Sequence, residues 1–365
     1  MNLQRLFAVV RKELAQLRRD RLTFAMIIGI PTMQLLLFGF AINLDVRHLP
    51  AAVLDEAQTA RSRALIGELG SSQVLDLQRR VADAETLTAM MRRGEINAAI
   101  VIPRDFEARL ERRDRPAWQL IVDGADQSVQ AAARQLAAFP LASLRPPVPK
   151  EGAPPVEIVN FYNPERRAPV NTVPGLIGVI LTMTMVLFTA IAIVRERERG
   201  NLEMLIATPL SPAELMLGKV LPYVLIGLVQ VTVILVLGRL VFSVPVRGSL
   251  FDVYLAALVF VCASLTLGVF ISTIAKSQFQ AMQMSFFTFL PQILLSGFMF
   301  PFDGMPQAAQ WLAETFPLTH FLRLIRGIVL RGARLYEMWP ELAALGVFMV
   351  LMLTLATSRF RKRLD

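Results

Sequence analysis

Pro174-Gly-Leu-Ile-Gly-Val-Ile-Leu-Thr-Met-Thr-Met-Val-Leu-Phe-Thr-Ala-Ile-Ala-Ile-Val194 carries no charged side chain from end to end. About 20 consecutive apolar residues cross the roughly 30 Å hydrocarbon core of a bilayer, so this stretch predicts a membrane-spanning helix. On its C-terminal side the sequence changes abruptly to Arg195-Glu-Arg-Glu-Arg-Gly-Asn-Leu-Glu203. Charge so dense beside an apolar span marks the point where the chain leaves lipid.

Working outward, five more segments have the same character: Thr23–Leu44, Val220–Phe242, Val253–Ala275, Ala281–Phe300 and Trp339–Thr357. The expected fold class is therefore a mainly α membrane protein with six transmembrane helices. Arg239 falls near the end of its span, where a long side chain reaches the interface. Pro31, Pro222 and Pro291 each remove a helical hydrogen bond, giving a plain kink or a bend that shapes a pathway.

Basic residues set the orientation. Arg5, Arg11, Lys12, Arg18, Arg19 and Arg21 precede the first span, Arg195, Arg197 and Arg199 follow the second, and Arg359, Arg361, Lys362 and Arg363 end the chain. An even number of crossings puts all three groups, and both termini, on one side, which the positive-inside rule makes the cytoplasm. Residues 301–338 fall on the outer side yet hold Arg323, Arg326, Arg331 and Arg334. Two short apolar helices dipping into the interface are the expected way to hold those arginines at headgroup level.

The remainder divides into parts. In residues 1–22, Leu3, Leu6, Phe7, Val10, Leu14 and Leu17 recur at helical spacing, an amphipathic helix on the cytoplasmic surface that anchors the chain or frames a docking site. Residues 23–44 are the first span. Residues 45–173 form an inserted periplasmic α/β domain with a stiff linker containing Pro146, Pro147, Pro149, Pro154 and Pro155. Strands are expected at Ala51–Leu54, Ala98–Ile102, Trp118–Val122 and Val156–Tyr162. Helices are expected over Asp83–Arg93, capped by Asp83 and closed by Gly94, and from Asp126 through Gln135. Residues 174–365 carry spans two to six.

Composition agrees. Of the 365 residues 54% are hydrophobic and 18% are charged, below the roughly 25% usual in soluble domains. The net charge of +9 sits mainly beside apolar spans, so it reads as topology and not as a nucleic-acid surface. Cys262 is the single cysteine, so no intramolecular disulfide forms. His48 and His320 lie far apart and no metal-ligand spacing is present. Gly218-Lys219 lacks the rest of a phosphate-binding loop, no G-x-S-x-G elbow occurs, and Leu295-Ser296-Gly297 lies in an apolar span. The chain is expected to have no catalytic residue, no metal and no directly bound cofactor.

The segment 195–219 is the informative one. Charges give way to Leu202, Leu205 and Ile206, then Thr208-Pro209, and then Ser211-Pro212-Ala213-Glu214, a helix start with a capping serine. This makes a short helix, a bend and a second helix entering the membrane. Its apolar ridge needs a cover: lipid, the N-terminal helix or a partner's groove.

Arg195-Glu-Arg-Glu-Arg-Gly-Asn-Leu-Glu203 followed by Thr208-Pro-Leu-Ser211 resembles the cytoplasmic coupling segment of type-2 ABC exporter permeases. Leu295-Ser-Gly-Phe-Met-Phe-Pro301, Met305-Pro306, Phe316-Pro-Leu-Thr319 and Arg326-Gly-Ile-Val-Leu-Arg-Gly332 resemble that family's fifth span and external re-entrant loop, here 301–338. The large insertion after the first span is similar to the drug-exporter-like branch. The resemblance covers essentially the whole chain. It implies a transport subunit that pairs with a second permease subunit, identical or paralogous. A separate cytoplasmic ATPase subunit would bind ATP and Mg, and a periplasmic membrane-fusion adaptor is a further expected partner.

By the same resemblance, Glu198, Gly200, Glu203, Leu205, Thr208 and Pro209 contact the ATPase. Met183, Met185 and Phe188 of the second span, with Met282, Phe286 and Phe289 of the fifth, line the substrate path. Ordinary helix packing is the competing role for each of these six. The implied activity is export of a hydrophobic or amphipathic drug- or lipid-like molecule from the cytoplasm or inner leaflet. The alternative is an ATPase-independent membrane scaffold or surface receptor with the same fold.

Overall fold

The computed structural model describes residues 48–126, 129, 130, 132, 133, 136, 155–200 and 212–359. The expected amphipathic helix, the first span, linker residues 146–154 and residues 201–211 lie outside the described residues. The described chain has two layers, a mixed sheet with its helices and a bundle of long apolar helices.

The sheet runs β2-β1-β3-β4-β5, with β1 Leu49–Asp55, β2 Leu75–Arg80, β3 Ala98–Ile102, β4 Trp118–Asp123 and β5 Val156–Phe161. β1 is parallel to β2 and β3, β4 is antiparallel to β3, and β5 is parallel to β4. Alternation sends Leu49, Ala51 and Val53 to one face and Ala52 and Leu54 to the other. The first face is covered by Leu65 and Leu69 of α1 (Ala60–Ser71) and by Val129, Ala132, Ala133 and Leu136. The second packs on Leu87, Met90 and Met91 of α2 (Ala84–Arg93). A sheet covered on both faces needs apolar residues at successive positions, which is why β3 reads as an unbroken apolar run.

α2 starts and stops where its sequence says it should. The Asp83 carboxylate accepts from the Thr86 backbone N–H at 2.6 Å, and Gly94 ends the helix at φ +74°. α1 and β2 were not anticipated. Residues 75–80 read Leu-Asp-Leu-Gln-Arg-Arg, too polar to signal a strand, and they pair because β1 offers a free edge. α3 (Phe106–Arg112) buries Phe106 completely.

Among the described residues four helical segments are long and apolar enough to cross a membrane: Ala168–Glu198, Pro222–Leu240, Leu250–Ile274 and Leu335–Arg359. They belong to α4 (Ala168–Glu198), α5 (Pro212–Leu240), α6 (Leu250–Ile274) and α10 (Trp339–Arg359), the last with the 3-10 turn before it. These coincide with the expected second, third, fourth and sixth spans. α4 begins well before Pro174, because a proline near a helix start costs little where neighbouring helices pack around it. At about 1.5 Å per residue it is ~46 Å long, more than the hydrocarbon core, so it projects beyond the lipid.

The expected fifth span appears as α7 (Gln278–Leu295), an 18-residue helix. Gln278, Gln280, Gln283 and Gln292 lower its apolarity, and it is not among the four. The chain then bends through 296–306 into α8 (Gln307–Ala313) and α9 (Pro317–Arg326). α9 is amphipathic in sequence but buried on nearly every side, packed against α4, α6 and α10. Phe321 of α9 stacks on Phe260 of α6 at 4.1 Å. Gly268 of α6 permits a close approach to α4. A Cβ there would stand 2.8 Å from the Val186 carbonyl oxygen of α4, so any larger residue would separate the two helices.

α5 and α10 expose their outer faces. Leu225, Val229 and Val233 on one helix, and Val347, Val350 and Leu351 on the other, lie open. Faces this apolar are stable against lipid tails and unstable against water.

Candidate transport seam and coupling corner

α4 and α7 meet along a seam lined by Thr182, Met183, Val186, Leu187, Ser285, Phe286, Phe289 and Gln292. Its cavity is about 10 Å³, room for roughly one water, with Met183 and Phe286 exposed at its mouth. The chemistry is mixed. Met and Phe give pliable apolar contact, while the Gln292 side-chain oxygen is buried without a hydrogen-bond partner. Thr182 and Ser285 are less available, since each hydroxyl donates to a carbonyl four residues back in its own helix.

At one end of the bundle, the last turn of α4 is tied to α6 and α7. Arg197 donates to the carbonyls of Ser272 and Ala275 at the end of α6. Glu198 accepts from the Gln278 backbone N–H at 2.9 Å and from its side-chain amide at 2.5 Å. The start of α7 is thus held by the charged end of α4, and Gly200 follows at φ +70°.

At the other end the sheet layer docks on the bundle through charge. Arg331 reaches Asp123 at 3.7 Å, Arg326 reaches Asp126 at 3.6 Å, and Arg92 of α2 pairs with Glu337 at 2.8 Å. Asn97 donates to Asp303 at 3.2 Å, and Arg247 donates to the Tyr162 carbonyl. Burial pushes the Asp123 carboxyl up, against the opposing pull of Arg331. Burial also lifts Asp303, to about 6, helped by the negative charge of Asp126. Beneath this layer Arg323 bridges Glu314 at 2.5 Å and Glu341 at 3.3 Å. His320 donates from Nε2 to the Glu314 carbonyl and places Nδ1 2.5 Å from Glu341.

The profile of the family described as ABC-2 family transporter protein matches residues 21–357. The chain belongs to this family. Two Escherichia coli K12 relatives span nearly all of it. The probable multidrug ABC transporter permease YbhS is 29% identical over 338 residues, 90% of this chain and 89% of its own. The probable multidrug ABC transporter permease YbhR is 29% identical over 363 residues, 98% of this chain and 99% of its own. The inner membrane transport permease YhhJ of the same organism is 35% identical over 191 residues, about half of each chain.

Within this ABC-2 family chain, the residues expected from sequence are distributed unevenly. Met183, Phe286 and Phe289 line the α4–α7 seam. Met185 does not: it is fully buried on the opposite face of α4, against Gly227 of α5. Phe188 points outward, 45% exposed. Met282 is half-buried in the first turns of α7 and is not part of the seam. Helical geometry explains the split, since residues two apart on a helix face different ways. Glu198 and Gly200 stand at the corner where the end of α4 meets α7, whereas Glu203, Leu205, Thr208 and Pro209 lie outside the described residues.

Thr182, Ser285 and Gln292 were missed. Their signal was available as polar residues recurring on one face of an otherwise apolar helix. Within the loop 301–338, Arg323 meets Glu314 and Glu341, Arg326 meets Asp126 and Arg331 meets Asp123, because the sheet layer and the half-buried Glu341 offer fixed partners. Among the described residues no cluster of three or more His, Cys, Asp or Glu is placed to hold a metal.

Proposed function

We propose that this chain is the permease subunit of an ATP-driven exporter, moving a hydrophobic or amphipathic drug- or lipid-like molecule out of the cytoplasm or the inner leaflet. The chain crosses the inner membrane six times, with both termini cytoplasmic and the sheet layer in the periplasm. It pairs with a second permease subunit, and each is driven by a cytoplasmic ATPase that supplies ATP and Mg. The adaptor-facing surface is the sheet layer. Full-length relatives named as multidrug permeases support this class of cargo.

The observation that carries the reading is the seam between α4 and α7, in which apolar side chains and the unsatisfied Gln292 oxygen face one another. A second subunit across this seam would complete a central path. ATP binding closes the ATPases and pushes segment 195–219. The push passes through Glu198 to the first turn of α7 and opens the seam on the far side, a two-state change biased by ATP. Charges at Glu198 and Glu203 set the register of the ATPase contact, and Leu205 supplies apolar contact area.

The test is reconstitution in vesicles with a candidate partner ABC ATPase. Leu205→Asp and Glu203→Arg should each abolish ATP-driven transport while the permease still inserts and folds. Phe286→Ala with Phe289→Ala should alter stimulation by cargo and spare ATPase binding. Full transport in both coupling-segment variants would refute the docking site.

A further inference from the structure

An open groove of about 880 Å³ lies where the sheet layer meets the bundle, on the α6–α10 side and away from the α4–α7 seam. Arg92, Arg247 and Arg334 line its polar part, and Tyr336, Trp339 and Leu342 line the part toward the bundle. Asp252 is the acidic group in the lining, and it already accepts from the Leu335 backbone N–H. Of the three arginines, Arg92 pairs with Glu337. Arg247 donates to the Tyr162 carbonyl and lies 5.6 Å over its ring, without a carboxylate, and Arg334 has no carboxylate partner among the described residues. Among the described residues, the groove therefore keeps positive charge without a matching carboxylate.

Its depth says what matches that charge. α6 and α10 are candidate spans, and the groove sits at their first turns, the level at which a bilayer passes from hydrocarbon to headgroups. Trp339 and Tyr336 are 66% and 69% exposed there, the placement such rings take at a membrane interface. Below them Leu255 and Leu342 lead to the open apolar face of Val347, Val350 and Leu351.

We propose that this groove binds one anionic phospholipid of the leaflet on the sheet-layer side. Its phosphate lies between Arg247 and Arg334, and its acyl chain runs down the α10 face. Guanidinium groups match phosphate oxygens in paired hydrogen bonds, and a glycerophospholipid supplies both the anion and the tail the lining asks for. A second copy docked by a two-fold contact would bring the same basic rim against itself, which like charges oppose. The site depends on α6 and α10 standing in a membrane and not on what the protein exports, so a failed transport assay leaves it intact.

Trp339 provides the readout. The full chain with Trp311→Phe is placed in phosphatidylcholine vesicles doped with brominated phosphatidylglycerol or brominated phosphatidylethanolamine, and tryptophan quenching is compared. Trp118 is fully buried in the sheet and stays silent. The anionic lipid should quench at a concentration roughly tenfold lower than the zwitterionic one, the scale of a charge-assisted contact to phosphate. Arg247→Gln with Arg334→Gln should remove that preference, while Arg247→Lys with Arg334→Lys, which keeps the charge but not the paired hydrogen bonds, should keep part of it. Equal quenching by both lipids, or an equal loss in the Lys and Gln pairs, would overturn the proposal. So would displacement by inorganic phosphate, which would mark a site for small anions, and so would a crosslink from the groove to a second copy.

Discussion

Asp303 gives the structure a measurable dependence on pH. Its carboxyl stands at the junction of the two layers, accepting from Asn97 and lying close to Asp126. It rises from an ordinary 3.8 to about 6, chiefly through burial. Because the folded pKa is the higher one, the folded state holds this proton more tightly than the unfolded chain does. The stabilisation is full below about pH 3.8 and is lost as pH climbs through about 6. At about 1.4 kcal/mol per unit the shift corresponds to ~3 kcal/mol, and the part of the carboxyl open to water reduces this to ~2 kcal/mol. Asp303→Asn mimics the protonated group and still accepts from Asn97. At pH 7.5 the variant should be more stable than the parent by ~2 kcal/mol, and near pH 4 the two should converge. Hydrogen exchange across β4 and residues 296–306, followed from acid to neutral pH in detergent, would report the difference. A variant that is less stable than the parent at every pH, or a parent with no such pH dependence, would refute the placement of this carboxyl at a desolvated junction.

Arg331→Met removes the cation facing the buried Asp123 and should loosen the docked sheet by ~2–4 kcal/mol, read as faster proteolysis of the layer junction; adding Asp123→Asn should recover part of the loss. Phe321→Ala empties the stack on Phe260 and should cost ~3–5 kcal/mol in thermal unfolding, with the sheet's own exchange protection unchanged. Gln278→Ala removes the side-chain amide that donates to Glu198 at the corner where α4 meets α7. It should leave the melting temperature in detergent unchanged and lower ATP-driven transport several-fold, roughly the effect of one charge-assisted hydrogen bond. Unchanged transport would remove the corner from the coupling route.

The elements that were legible in the sequence are those whose signal is local. The apolar run around Met183 needs only its own composition to specify a helix in lipid. Asp83 and Gly94 mark the ends of α2 with side-chain and backbone chemistry confined to a few residues. The apolar run Ala98–Ile102 announces a strand buried on both faces. β2 was not legible because its strand character comes from the neighbouring β1 and not from its own residues. α7 coincides with most of the expected span Ala281–Phe300, and its four glutamines make it less apolar than the four longer helices. At the seam, Met183, Met185 and Phe188 look equivalent in a list, and the turn of the helix separates them into lining, core and surface.

Sequence by itself determined the class of the protein, its membrane-embedded helices and its kinship with ABC-2 transporters, because hydropathy and short contiguous motifs act over distances of one helix. Only the tertiary structure decided where the charges go. Arg326 and Arg331 are about 200 residues from Asp126 and Asp123, and Arg92 is 245 from Glu337. A pairing of that kind costs chain entropy that only a packed interface repays, so nothing in the local sequence records it.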